Sequence, residues 1–244
     1  MSTAETTIGI KPMVFETHVE EVIPRTAEVK SFRFKRPPGF NYLPGQWMYV
    51  SIRVEGTQKM HHFTISSSPT EDYLEFTKKI DTGSLYTNAL NSFKGGEWAL
   101  INGPFGDFTY IGQPIKIGAL TGGIGITPLR SICKFCVDKH LTTDIRMLYA
   151  NRTEKDIVFK DQFFEMQQAD PHLVVQHVLT REPQWSGLHG HITSQMIMEQ
   201  IPDYMSRIFY ICGPPSMNAA MVKELKALNL PDSQIKLEEF TGYK

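Results

Sequence analysis

The sequence predicts two domains, an antiparallel β-barrel followed by an α/β domain built on a parallel sheet. Three observations carry this. Short apolar runs of period two, separated by Gly/Pro turns, fill the first 112 residues. From Ile115 onward, strand-like runs alternate with helix-like ones. The length of 244 residues suits two domains of ordinary size.

In chain order, Val29, Phe32 and Phe34 mark an apolar run that ends at Pro37-Pro38-Gly39. Met48, Val50, Ile52 and Val54 alternate with Trp47, Tyr49, Ser51 and Arg53, the pattern of a half-buried strand. His61–Ser66 and Tyr73–Ile80 read the same way, and a helical segment over Ser84–Phe93 interrupts the barrel. A boundary falls near Gly112-Gln113-Pro114, giving domains 1–112 and 113–244. Beyond it, strands are expected over Ile115–Leu120, Ile145–Ala150, Leu173–Leu179, Ile208–Cys212 and Ile235–Phe240. Helices are expected over Pro128–His140, Val158–Ala169, Ile192–Ile201 and Pro215–Leu228. Such a repeat gives a sheet covered on both faces by right-handed crossovers.

Composition narrows the class. The chain is 41% hydrophobic and 21% charged, as in soluble globular proteins. A net charge of -1 argues against a nucleic-acid partner. The start, M-S-T-A-E-T-T-I-G-I-K-P, has no basic region leading into an apolar core. The most apolar stretch, Ile117 to Leu129, is too short for a bilayer and broken by glycines and a proline, so no membrane span is expected. Three cysteines fit a reducing compartment, and the expected location is cytoplasmic.

Two loops suggest chemistry. T-G-G-I-G-I-T-P-L-R, from Thr121, follows a strand and opens a helix. Glycines there bring backbone N–H groups close to an anion, and the helix dipole favours it. Thr127 is expected as helix cap and Pro128 at the first position. The glycines fall neither as G-x-G-x-x-G nor as a P-loop, and a plain tight turn is the alternative. I-C-G-P-P-S-M, residues 211–217, also ends a strand and opens a helix. Cys212 is then placed on the same crevice as Gly122–Gly125, or is simply a small apolar core residue. Cys133 and Cys136 share a helix face, but two thiols fall short of the four ligands of a zinc or iron–sulfur site, so they read as core. His61 and His62 are adjacent on a strand and face opposite ways, which disfavours a shared metal. His62 reads as a surface histidine.

Seven motifs in order resemble the ferredoxin–NADP reductase family of flavoproteins. They are Pro44-Gly45-Gln46, His61 to Ser67, Gly103-Pro104-Phe105-Gly106, T-G-G-I-G-I-T-P, Y-A-N-R-T-E-K-D from Tyr149, C-G-P-P-S-M, and Glu238-Glu239-Phe240. The stretch M-H-H-F-T departs from the family's R-x-Y-[ST] and is similar to the HPFT form of ferric reductases and NADPH oxidases, with His62 in place of proline. The resemblance implies FAD on the barrel and NADPH or NADH on the second domain. Phe63 is then expected against the flavin ring, Thr64 near its N5, His61 near the phosphates, and Ser67 in the same motif. Gly83 and Thr87 stand for a second phosphate loop. Gly122, Gly123, Gly125, Thr127, Gly213 and Pro214 are expected to hold the dinucleotide. Thr64, Cys212 and Glu238 match the positions around the reacting atoms, with Phe240 or Tyr243 as aromatic lid. Arg152 and Arg181 suit a 2′-phosphate, favouring NADPH, unless they are ordinary surface arginines.

The function implied is an NAD(P)H-dependent flavin oxidoreductase. Hydride passes to FAD, and electrons pass to a separate acceptor such as ferredoxin, another redox protein or a small molecule. The cysteine count leaves no room for a built-in plant-type [2Fe–2S] domain. The alternatives are an electron-transfer subunit of a larger complex and a flavin-free nucleotide-binding module.

Overall fold

The computed structural model describes residues 10–80 and 83–239. The first sheet contains β1 (Met13–Thr26), β2 (Val29–Lys35), β3 (Trp47–Val54), β4 (Thr57–Thr64), β5 (Tyr73–Lys79) and β6 (Trp98–Phe105). Their order is β4-β3-β6-β1-β2-β5, all antiparallel. A bridge from Ile65 to Phe76 brings the two sheet edges together, and α1 (Leu85–Ser92) packs across the barrel. Inward residues Phe32, Phe34, Met48, Val50, Ile52, Ile65 and Phe76 are buried, as period two requires.

Two strands were not expected. In β1 the inward set Met13, Phe15, Thr17 and Val19 is masked by outward Val14, and a register shift after Val19 breaks the period. In β6 the turn-like Asn102-Gly103-Pro104 lies inside a strand. Gly103 is needed there because a Cβ would stand 2.7 Å from Met48 Cβ. The strand expected over His61–Ser66 instead runs from Thr57 to Thr64. Its exposed first half, T-Q-K-M, lacks the apolar alternation that would have marked it.

The second sheet is parallel, with order β10-β9-β8-β7-β11-β12. Its strands are β7 (Lys116–Gly122), β8 (Asp144–Asn151), β9 (Leu173–Leu179), the short β10 (Leu188–His189), β11 (Ile208–Gly213) and β12 (Ile235–Glu239). Helices α2 (Ile126–Asp138) and α3 (Lys160–Ala169) cover one face with Ile117, Ala119, Ile145 and Met147. Helices α4 (Ser194–Gln200) and α5 (Pro215–Ala227) cover the other with Leu120, Leu148 and Val178. Cys133 and Cys136 lie in the first of these cores as free thiols. Among the described residues, no helix is long and apolar enough to cross a membrane.

Helix α2 begins two residues earlier than expected. A 3-10 turn over Gly123–Gly125 leads straight into it, so Gly125 occupies the cap position. Thr127 is inside the first turn, and its hydroxyl donates to Ile124 O, so it does not cap the helix.

The two halves are clasped by consecutive residues of α2. Buried Arg130 donates to Ser66 O at 3.0 Å and to both carboxylate oxygens of Glu71, and its Nε reaches Gln162 Oε1 at 3.0 Å. Ser131 donates to Ser67 O at 2.6 Å. Burial alone raises the Glu71 carboxyl, but the hydrogen bonds and charge of Arg130 outweigh it and hold the group below its ordinary value. Glu71 therefore contributes stability above its unfolded-state pKa, and that contribution is lost as pH falls through its lower folded-state value. Arg130→Met leaves a buried carboxylate unpaired and should cost about 3–5 kcal/mol in urea denaturation at neutral pH. Adding Glu71→Gln should recover part of that loss.

Candidate active site

The sheet order reverses between β7 and β11: the chain leaves β7 toward β8 and leaves β11 toward β12. Both strands end in glycine-containing turns, so a crevice opens at their carboxyl ends. Thr121 Oγ1 donates to Cys212 O at 2.7 Å and joins the two strand ends. Gly125 lies so close that a Cβ would stand 2.2 Å from Cys212 O. Gly123 has φ of +54° and faces open space, while Met217 of α5 fits against Gly122, where a Cβ would be 2.3 Å from its Sδ. Tyr149 OH donates to Gly123 O at 2.9 Å and holds this turn from below. No side chain caps α2, which leaves its start to other acceptors.

Cys212 is fully buried beside Glu238, its register partner on β12. Burial pushes the thiol well above its ordinary value, with Glu238 adding to the shift, so it stays protonated. Glu238 is half-buried. Burial, then the charge of Asp107, raises its carboxyl to about 7. Asp107 follows the G-P-F-G turn of the barrel, so this repulsion acts across the two halves. Asn218 of α5 donates to Glu238 O at 2.9 Å and holds the strand in place, while its own Oδ1 is buried without a partner among the described residues.

On the barrel side, strand alternation separates the M-H-H-F-T residues. His61 and Phe63 face inward: His61 stacks on Tyr86 with ring centroids 4.1 Å apart, and Phe63 stacks on Phe76 at 4.4 Å. His62 faces the other way and packs 5.2 Å from the Trp47 ring, so it is half-buried and not a loose surface histidine. Burial lowers His61, with Lys78 and His62 adding to the shift, and it is neutral at pH 7. Thr64 Oγ1 is buried without a hydrogen-bond partner among the described residues. The turn motifs interlock beside it. Gln46 Nε2 donates to Gly106 O at 3.4 Å, and a Cβ on Gly45 would stand 2.0 Å from Phe108 O. Gly106 similarly makes room for the Trp47 indole, which would lie 2.6 Å from a Cβ.

Other expected residues are placed apart. Ser67 is fully buried, its hydroxyl accepting from Glu75 N and bonded to Tyr42 OH, so its side chain is committed to the fold. Gly83 is exposed, and Thr87 is buried in α1 and bonded to the cap residue Ser84. Arg152 and Arg181 are both exposed just past β8 and β9, joined by the bond from Arg181 N to Arg152 O at 2.8 Å. Gly213 ends β11, and Pro214 is the exposed cap residue of α5. Phe240 and Tyr243 lie outside the described residues. Sequence reading missed Asp107, Arg130, Ser131 and Asn218. A charged residue amid the apolar Leu129, Ile132 and Cys133 is the available signal for Arg130, because a buried arginine needs a partner.

The raised carboxyl of Glu238 has a consequence for pH. Its folded-state value of about 7 exceeds the ordinary 4.5, so the folded protein binds more protons than the unfolded chain between those limits. Stability attributable to Glu238 falls as pH rises through that window. Glu238→Gln should flatten the fall, read as melting temperature against pH from 4 to 8.

Comparison with known proteins follows this geometry. The Oxidoreductase FAD-binding domain family matches residues 16–110, and the Oxidoreductase NAD-binding domain family matches residues 120–223. The glycine betaine monooxygenase reductase subunit of Chromohalobacter salexigens is 29% identical over 229 residues, which is 90% of this chain and 62% of that protein. NADH-cytochrome b5 reductase 1 of Aspergillus fumigatus is 30% identical over 235 residues, 90% of this chain and 76% of that one. The fold is shared with a ferredoxin NADP+ reductase from Neisseria gonorrhoeae solved with FAD and NADP, at a TM-score of 0.81, 18% identity and 92% and 98% coverage of the two chains.

Proposed function

The chain belongs to the ferredoxin–NADP reductase family of FAD- and NAD(P)-binding oxidoreductases, and from that premise we propose that it is an NAD(P)H-dependent flavin reductase serving a separate electron acceptor. The observation that carries this is the convergence of the glycine turn, Cys212 and Glu238 at one strand-order reversal, with Asp107 of the barrel beside them. We assign residues 1–112 to FAD and 113–244 to the nicotinamide dinucleotide.

The residues fit both groups. Thr64 Oγ1 and Asn218 Oδ1 are buried polar atoms without a hydrogen-bond partner among the described residues, a cost of about 1–3 kcal/mol each. Phe63 is half-buried, with one side stacked on Phe76 and an aromatic surface suited to a ring system. When bound, FAD supplies hydride acceptance and onward electron release, which no side chain here can perform. The chain supplies position and proton control. Gly122, Gly123 and Gly125 admit a pyrophosphate to backbone N–H groups at the start of α2, with Thr127, Gly213 and Pro214 framing the crevice. Thr64 offers its hydroxyl to the reacting edge. Cys212, kept neutral by burial, presents an uncharged wall, and Glu238 exchanges a proton near neutral pH. His61 is neutral where the family has arginine, so phosphate binding there leans on hydrogen bonding rather than charge.

The acceptor we propose is a redox protein, ferredoxin or another, in the cytoplasm, where the three free cysteines stay reduced. A second reading, a reductase subunit within a larger complex, draws support from the Chromohalobacter relative, which is named a reductase subunit. The chain spans 62% of that relative's length. The flavin-free reading has Thr64 against it, because a buried orphan hydroxyl is costly to keep.

Protein incubated with FAD should show a flavin absorption spectrum that NADPH bleaches without oxygen. A colourless protein after excess FAD overturns the reading. Arg152 and Arg181, side by side and exposed, favour NADPH over NADH. Replacing both with Ala should raise KM for NADPH about tenfold and leave that for NADH within about twofold.

A further inference from the structure

Phe159 precedes α3 with φ 61° and ψ 24°, a left-handed conformation that a bulky non-glycine residue rarely adopts. Nothing local favours it. A helix start is normally capped by Ser, Thr, Asp or Asn, and Phe159 makes no cap bond. What holds it is tertiary. Phe159 is 4% exposed and two guanidinium groups lie over its ring, with Arg25 Cζ 4.9 Å and Arg130 Cζ 5.6 Å from its centroid.

The two arginines come from opposite halves of the molecule, and each is fixed by its own partners. Arg25, on β1, donates to Glu75 Oε2 and to Ser31 Oγ, both at 2.8 Å. Arg130, on α2, carries the clasp to Ser66 O and Glu71. The backbone beside Phe159 points the other way, to the nucleotide crevice. Val158 N donates to Tyr149 OH at 3.3 Å, and Tyr149 OH donates to Gly123 O at 2.9 Å. One strained residue therefore touches the barrel and the helix that follows the glycine turn, and its neighbour Val158 bonds the hydroxyl that holds the turn itself. Backbone strain kept by surrounding contacts is a pointer to function.

We propose that Phe159 is a positioning residue, packed against both Arg25 and Arg130, that fixes the angle of the glycine turn against the flavin-side strand β4. The proposal rests on the flavin-reductase reading. A ring that attracts two cations from two different domains ties their positions together in a way that an aliphatic side chain of similar size does not. Small errors in the approach of two reacting rings lower a transfer rate steeply while leaving binding intact.

The test uses the full chain loaded with FAD and mixed with NADPH in stopped flow. Phe159→Leu should lower the limiting rate of flavin bleaching roughly ten- to hundredfold, with the half-saturating NADPH concentration and FAD retention unchanged. Phe159→Tyr, which keeps the ring, should restore the rate. Arg25→Lys keeps the charge near Glu75 but loses the guanidinium over the ring, and it should show the same fall, which covers a Leu variant that does not fold. In protein without FAD or nucleotide, hydrogen exchange at amides 122–127 should be faster in the Leu and Lys variants than in wild type. Wild-type limiting rates together with unchanged exchange in the two variants overturn the proposal. A wild-type protein that NADPH does not bleach refutes the reductase reading instead, and the exchange experiment still decides the role of Phe159.

Discussion

The bond network of Arg130 is the constraint on which the remaining arrangement depends. A guanidinium removed from water must satisfy its donors, and here they go to Ser66 O, Glu71 and Gln162. That requirement places the first turn of α2, and with it the glycine turn, at a set height over the segment that follows β4. Thr64 and the crevice of Cys212 are thereby fixed relative to each other without any covalent link except the chain through residues 106–115. Tyr210, donating to Thr109 O at 3.0 Å, and the edge-on packing of Phe108 against Tyr210 complete the junction on its other side.

Chemistry in the crevice is arranged by exclusion of water more than by charge. Cys212 and Glu238 are both pushed toward their neutral forms by burial. Two carboxylates, Glu238 and Asp107, approach from different domains, and the more buried of them takes up the proton. The barrel side follows the same logic, with His61 kept neutral between a tyrosine ring and Lys78. The charged side chains Arg152 and Arg181 stand exposed just past β8 and β9, apart from these buried groups.

Much of the fold is legible in the sequence where period and punctuation agree. Strand β9 and the βα rhythm of the second half are examples, because parallel strands buried on both faces read as continuous apolar runs. Legibility ends where tertiary contact overrides local signal. Strand β1 hides behind Val14 and a register shift, and β6 carries Gly103-Pro104 because another strand passes too close for a side chain. The glycine turn and the C-G-P turn are readable from their chemistry. Ser67 and Thr127 are not, since a hydroxyl serves a ligand or its own fold equally well until its partners are seen. Asp107 is invisible to spacing because its partner lies more than a hundred residues away.

The clasp also recognises the barrel in an unequal manner. Arg130 and Ser131 reach the carbonyl oxygens of Ser66 and Ser67, so at these two positions the interface reads main chain, while Glu71 is the barrel side chain that answers Arg130. Carbonyls are present whatever side chain the position carries. Those two contacts do not depend on which side chain stands at residues 66 and 67, provided the segment keeps its course, whereas the Glu71 carboxylate is read as a side chain. The helix enjoys no such freedom, because both of its contributions are side chains. Tolerance to sequence drift is thus distributed unevenly across a single junction, and a redesigned flavin-side surface that keeps Glu71 could be fitted to this nucleotide domain with the helix left as it is.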